Sequence, residues 1–120
     1  MATTMTPIGL LETLRAIHDT DVDGTYENVG ATTIYLMDLD NTANGAASYV
    51  KFYNTANPTV GTTAPYMIVH VAASARRIWH FIGGNNAFTG GMSFAAVTGA
   101  GTAGTTSPTS DVVADLIVEG

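Results

Sequence analysis

Six short runs rich in β-branched and aromatic residues, separated by clusters of Gly, Pro and Asn, fill the sequence from residue 32 onward. Such runs are typical of strands, and such clusters are typical of turns. No helical pattern lies between the runs, which excludes an alternating α/β fold. The pattern therefore predicts an all-β fold, an antiparallel β-sandwich or small barrel of about six to eight strands. The strands are predicted at residues 32–39, 47–53, 65–71, 76–82, 91–98 and 112–118.

The N-terminal region has a different pattern. Four apolar side chains in residues 8–18 fall at helical spacing, which predicts a short helix. The same residues are also compatible with an extended arm. We therefore expect an N-terminal arm or short helix over residues 1–25 and a β-domain over residues 26–120.

Several predicted strands carry apolar side chains on both faces. In residues 47–53, Val50 and Phe52 point to one side, while Tyr49 and Tyr53 point to the other. Antiparallel sheets of soluble monomers normally alternate between apolar and polar side chains. We therefore expect one face to form the core and the other to contact a partner, as in obligate assemblies. The alternative is that these side chains line a solvated face.

Composition limits the classes of function. Charged residues make up 12% of the chain, the net charge is −6, and only four residues are Lys or Arg. Such a chain has few groups with which to bind phosphates, so we expect neither nucleic acid nor a membrane as partner. There is no cysteine, which excludes disulfides and thiolate chemistry. No secretion signal is evident, so synthesis in the cytosol is expected.

Residues 19–24 spell Asp-Thr-Asp-Val-Asp-Gly, the first half of a calcium-binding loop. The complete motif needs a bidentate Glu at position twelve, where Gly30 stands, and Glu27 falls at position nine. An acidic, solvated turn is the alternative interpretation. The candidate metal ligands are weak ones: Asp19, Asp21 and Asp23.

Catalytic motifs are incomplete. Residues 99–104 match the dinucleotide pattern GxGxxG, but the Thr-Thr-Ser-Pro that follows cannot open the required helix. Ser93 lies in a predicted strand, and no acid is placed to orient His70 or His80. We therefore expect a protein that is not an enzyme and that uses no cofactor.

Arg76 and Arg77, with Trp79 close by, form the main basic cluster of the sequence. Because Arg pairs well with carboxylates, a salt bridge to a partner is favoured over a purely local pair. Together with apolar side chains of the strand at 47–53, the cluster gives the candidate interface residues: Tyr49, Phe52, Tyr53, Arg76, Arg77 and Trp79.

From residue 49 onward the sequence resembles a group of small tailed-phage virion proteins. The resemblance is carried by strand and turn signatures at residues 49–54, 56–62, 65, 88–95 and 111–113. It implies a small β-domain that decorates or bridges phage particles, such as a capsid cement protein. These motifs specify no chemistry, so no site residue is transferred from the family.

The role implied by this resemblance sets further expectations. The protein would bind the major capsid protein and its own copies on the capsid surface of the virion, after synthesis in the host cytoplasm. A homotrimer is expected, because a capsid lattice offers three-fold sites. The alternative is a tail, neck or fibre module that recognises a host surface glycan through aromatic side chains, with these candidates: Tyr26, Tyr35, Tyr53, Tyr66 and Trp79.

Overall fold

A computed structural model describes residues 3–4 and 14–120. Within these residues the chain is all-β, as predicted, and no helix is long and apolar enough to cross a membrane. Nine strands occur there, two of them only two residues long: β1 (Thr3–Thr4), β2 (Leu14–Val22), β3 (Glu27–Asn28), β4 (Thr33–Asp40), β5 (Ser48–Asn54), β6 (Met67–Val71), β7 (Arg76–Asn85), β8 (Met92–Val97) and β9 (Val112–Glu119).

The strands form two antiparallel sheets that enclose one core. The first sheet has the order β1-β2-β9-β4-β7, and the second has the order β3-β8-β5-β6. Ile17 and Leu116, which are opposite each other on β2 and β9, pack in the same cluster as Phe52 and Phe94 of the second sheet. The rings of those two phenylalanines lie 5.9 Å apart. This arrangement confirms the predicted small β-sandwich.

The helix predicted over residues 8–18 is wrong for residues 14–18, and residues 8–13 lie outside the described part of the chain. Residues 14–18 belong to β2, which pairs with β9 over most of its length. Burial along β2 alternates, since Ile17 and Asp19 are buried and His18 is exposed. Strand β2 lies within residues 1–25, the range predicted as an N-terminal arm or short helix, and is a strand of the five-stranded sheet.

The chain itself covers the second face of the four-stranded sheet over β5 and β8, whereas Ile68 and His70 of β6 stay exposed. All six residues of β8 are buried, including those that point away from the core. The loop that follows β8 lies over this outer face. It is held there by Lys51 of β5, whose Nζ donates to the carbonyl oxygens of Thr102 (3.0 Å) and Gly104 (2.8 Å). For β5 and β8, the prediction that a partner covers the second face is therefore corrected.

The GxGxxG pattern has a structural explanation in this loop. Its two ends approach so closely that a Cβ atom on Gly104 would lie 2.8 Å from the carbonyl oxygen of Gly99. Only glycine tolerates that approach without a shift of the backbone. The hydrogen bond from Thr98 N to Thr106 O (2.9 Å) closes the loop.

Lys51 is the single lysine of the chain and is fully buried. The reactivity of its amine therefore shows whether the loop that follows β8 shields it. We expect Lys51 in the native protein to react with an N-hydroxysuccinimide ester roughly tenfold or more slowly than in the unfolded chain, because the reagent cannot reach it until the loop opens. Peptide mass spectrometry of timed reactions measures this. Acylation of Lys51 at equal rates in native and denaturing buffer would contradict the described cover.

Candidate interaction surface

The sandwich has two open sides, where strands of the two sheets lie side by side and, in the described part of the chain, do not pair with each other. On one side β7 lies near β6, and Arg77 Nη1 donates to the carbonyl oxygen of His70 across the gap (2.9 Å). On the other side β2 lies near β3, and Arg15 Nη2 donates to the carbonyl oxygen of Val29 (2.8 Å). We name these the β6–β7 side and the β2–β3 side.

Strand β7 carries the most exposed apolar side chains of the described chain. Ile82 is 91% exposed, Ile78 is 62% exposed and Trp79 is 48% exposed. Among the described strands, β7 pairs only with β4, so its other edge has free backbone donors and acceptors. Natural proteins usually protect a long edge with Pro, Lys or a bulge. Strand β7 has neither Pro nor Lys, but its pairing with β4 is irregular between His80 and Asn85. Its regular part, residues 76–80, is therefore the part of the edge with which another chain can pair.

An apolar groove of about 230 Å³ lies beside this edge. Inside it, the Arg77 guanidinium lies 5.4 Å from the centre of the Trp79 ring, a cation–π geometry that holds both side chains. Trp79 also contacts Phe81, with ring centres 6.4 Å apart. The groove is lined by residues of β4, β6 and β7: Met37, Met67, Ile68, Val69, Arg77, Trp79 and Phe81.

The predicted interface residues divide between this surface and the interior. Arg77 and Trp79 line the groove, and Tyr49 is half-buried with its ring 5.2 Å from that of His70. Phe52 and Tyr53 are fully buried within the chain itself. They are therefore removed from the candidate interface, because Phe52 is packed in the core between the sheets and Tyr53 is buried on the covered outer face of β5.

The arginines have local partners, which corrects the preference for a partner salt bridge. Arg76 forms a two-pronged pair with Asp38, with Nε and Nη2 each 2.7 Å from a carboxylate oxygen. This hydrogen bonding raises the pKa of Arg76 further above its usual value. Arg77 donates to the carbonyl oxygen of His70 and stacks on the ring of Trp79. These contacts stabilise the wall of the groove.

A row of charges crosses the outer face of the five-stranded sheet. His18 Nδ1 lies 2.5 Å from Asp115 Oδ1, Asp115 is directly opposite Asp38, and Asp38 binds Arg76. The two carboxylates repel each other, and each has a basic partner on its far side. The row makes the middle of this face polar, so the exposed apolar surface is confined to its β7 edge.

The acidic residues near the end of β2 gather differently from the predicted calcium loop. Carboxylate oxygens of Asp19, Asp21 and Glu27 all lie within 4.8 Å of one another. Asp23 is outside this cluster, because its Oδ1 accepts a hydrogen bond from Thr25 N (2.8 Å) and shapes the turn. The prediction of Asp23 as a ligand is corrected by this geometry, and Glu27 of β3 takes its place.

The environment of Asp19 is unusual for a carboxylate. Its side chain is fully buried, and burial raises its pKa to about 7. Hydrogen bonding with Asp19 lowers the pKa of the exposed Asp21. The sequence pattern identified both residues as candidate ligands. It did not show that Asp19 is buried, because that burial depends on contacts between distant segments of the chain.

Sequence reasoning missed the exposed apolar residues Ile78 and Ile82. A usable signal was present, since residues 76–82 are apolar at both alternating sets of positions after the two arginines. That pattern did not show which face of the strand would stay uncovered. The sheet order decides it, because β7 lies at an edge.

Comparison of the chain with protein-family models, with curated proteins and with solved structures gives no match. The class of protein is therefore described from the structure alone, as a small antiparallel β-sandwich whose edge strand β7 carries exposed apolar side chains.

We expect Arg77→Ala to lower the stability of the fold by about 1 kcal/mol, because it removes a charged hydrogen bond between the two sheets. It should also move the emission of Trp79, the single tryptophan, to longer wavelength by uncovering the ring. Arg76→Ala is the comparison variant, since it removes the two-pronged pair with Asp38 and leaves the contacts of Trp79 intact, so the Trp79 emission should stay unchanged. Thermal unfolding and fluorescence spectra measure both effects. Equal spectra for the two variants would show that Arg77 does not cover Trp79.

Proposed function

We propose that this protein is a non-enzymatic structural protein of a phage virion, a capsid cement or decoration protein. It binds the major capsid protein and its own copies. The observation that carries the proposal is the uncovered edge strand β7, along which Ile78, Trp79 and Ile82 are exposed. The resemblance of residues 49–113 to small tailed-phage virion proteins supports the same role.

The free energies of burial and association favour binding at many neighbouring sites of a lattice over a strong complex of two isolated chains. Burying a large apolar side chain contributes about 1.5–3 kcal/mol when it is fully exposed beforehand. The five exposed side chains are on average about half-exposed, so they supply roughly 4–8 kcal/mol: Tyr66, Ile68, Ile78, Trp79 and Ile82. Association itself costs about 4–15 kcal/mol. A single contact is therefore weak, and neighbouring contacts on a capsid strengthen it through effective concentration.

The edge geometry also limits the symmetry of an oligomer. Pairing of β7 with β7 of a second copy uses the same surface twice and gives a dimer. A three-fold ring requires β7 to contact a different surface of the next copy. We propose the second arrangement, because it matches the three-fold sites that a capsid lattice offers.

The oligomer is tested by size-exclusion chromatography with light scattering. We expect a mass of about three times the 12.4 kDa chain at high concentration, and a shift to monomer in the double variant Ile78→Thr, Ile82→Thr. Threonine keeps the strand propensity and removes the apolar contact. Ile117→Thr on β9 of the same sheet is the matched control. A wild-type monomer at all concentrations, or an oligomer that the β7 variant leaves intact, would contradict the proposal.

A glycan-recognition module of the tail, neck or fibre is the second candidate. It is favoured by the half-exposed Trp79 beside the groove and by Tyr66, which is 51% exposed. Exposed aromatic rings of this kind provide stacking faces for sugars. Of the other candidates, Tyr53 is buried and Tyr35 donates a hydrogen bond to Glu119 (2.6 Å). Binding to a glycan array with labelling confined to the tail would support this function, and labelling of the whole capsid would exclude it.

A further inference from the structure

The cluster formed by Asp19, Asp21 and Glu27 joins the two sheets on the β2–β3 side. Asp19 lies on β2 of the five-stranded sheet, and Glu27 lies on β3 of the four-stranded sheet. Their carboxylate oxygens and that of Asp21 lie within 4.8 Å of one another. Carboxylates this close repel each other, and a cation or a proton held between them relieves the repulsion.

One carboxylate oxygen in this cluster is reached by no donor among the described residues. Asp19 is fully buried, and its Oδ2 has no hydrogen-bond partner among the described residues. Its other oxygen, Oδ1, accepts from the backbone N of Asp21 (3.1 Å), which fixes the orientation of the carboxylate. A buried carboxylate oxygen without a donor is costly and rare. The charged groups that act on Asp19 are the carboxylates of Asp21 and Glu27, which make that cost larger.

We propose that Asp19, Asp21 and Glu27 bind a hard divalent cation, and that this cation is calcium. Carboxylate oxygens are the ligands that Ca²⁺ and Mg²⁺ prefer. Oxygens that lie within 4.8 Å of one another can share one such ion. We assign calcium because Ca²⁺ accepts irregular sets of carboxylates and waters, whereas Mg²⁺ demands near-ideal octahedral geometry.

The site is open to solvent on one side, since Asp21 is exposed and Glu27 is half-buried. An ion can therefore enter without unfolding, and water can supply the remaining ligands. The bound ion joins β2 to β3 and so clamps the two sheets on the side opposite the apolar groove. This inference is independent of the proposed function.

Thermal unfolding and isothermal titration calorimetry of the full chain, freed of metal with a chelator and then dialysed, test the site. For a dissociation constant of about 0.1 mM, we expect 5 mM CaCl₂ to raise Tm by about 5–10 °C. MgCl₂ at the same concentration should give a smaller rise. Asp19→Asn and Glu27→Gln should each abolish most of the calcium response.

Asp23→Asn is the matched control. It removes one negative charge from the same segment and keeps a side-chain oxygen for the hydrogen bond from Thr25 N. Its calcium response should equal that of the wild type. Two results would overturn the proposal: a wild type whose Tm and titration heats do not respond to calcium, or an equal response in Glu27→Gln and Asp23→Asn. An equal response to Mg²⁺ and Ca²⁺ would overturn the assignment of calcium.

Discussion

The rest of this structure depends on one constraint: the apolar faces of the strands must be shielded from water. The inner faces of the two sheets cover each other, with Phe52 and Phe94 packed together in the core. The outer face of β5 and β8 is covered by the loop that Lys51 holds in place. Strand β7 has no equivalent cover within the described chain. The exposed apolar side chains are concentrated there and on the neighbouring β6.

The two open sides of the sandwich differ in chemistry because different edge strands meet there. The β6–β7 side brings Trp79 next to an apolar groove, and a charged row on the outer face confines that surface to the edge. The β2–β3 side instead collects three carboxylates around the buried Asp19. Contact with another chain and binding of a cation are therefore assigned to opposite sides of the sandwich, and neither requires the other.

Local pattern predicted much of the fold, and non-local pairing decided the rest. Turn residues and β-branched runs placed the six strands from residue 32 onward close to their observed positions, as with β5 and β9. Strand β2 was missed because its apolar spacing also fits a helix, and only its ladder with β9 selects the strand. Trp79 and Arg77 were predicted for the interface, but the burial of Tyr53 and the approach of Glu27 to Asp19 depend on contacts between distant segments.

The central claim is that another chain covers the β7 edge, and hydrogen–deuterium exchange tests it most directly. Exchange is measured for the dilute chain and for the chain assembled at high concentration or on capsids. We predict that the backbone amides of residues 76–85 become protected on assembly, while those of β9, which is already paired on both sides, stay unchanged. Equal exchange at residues 76–85 in the dilute and assembled states would contradict the account.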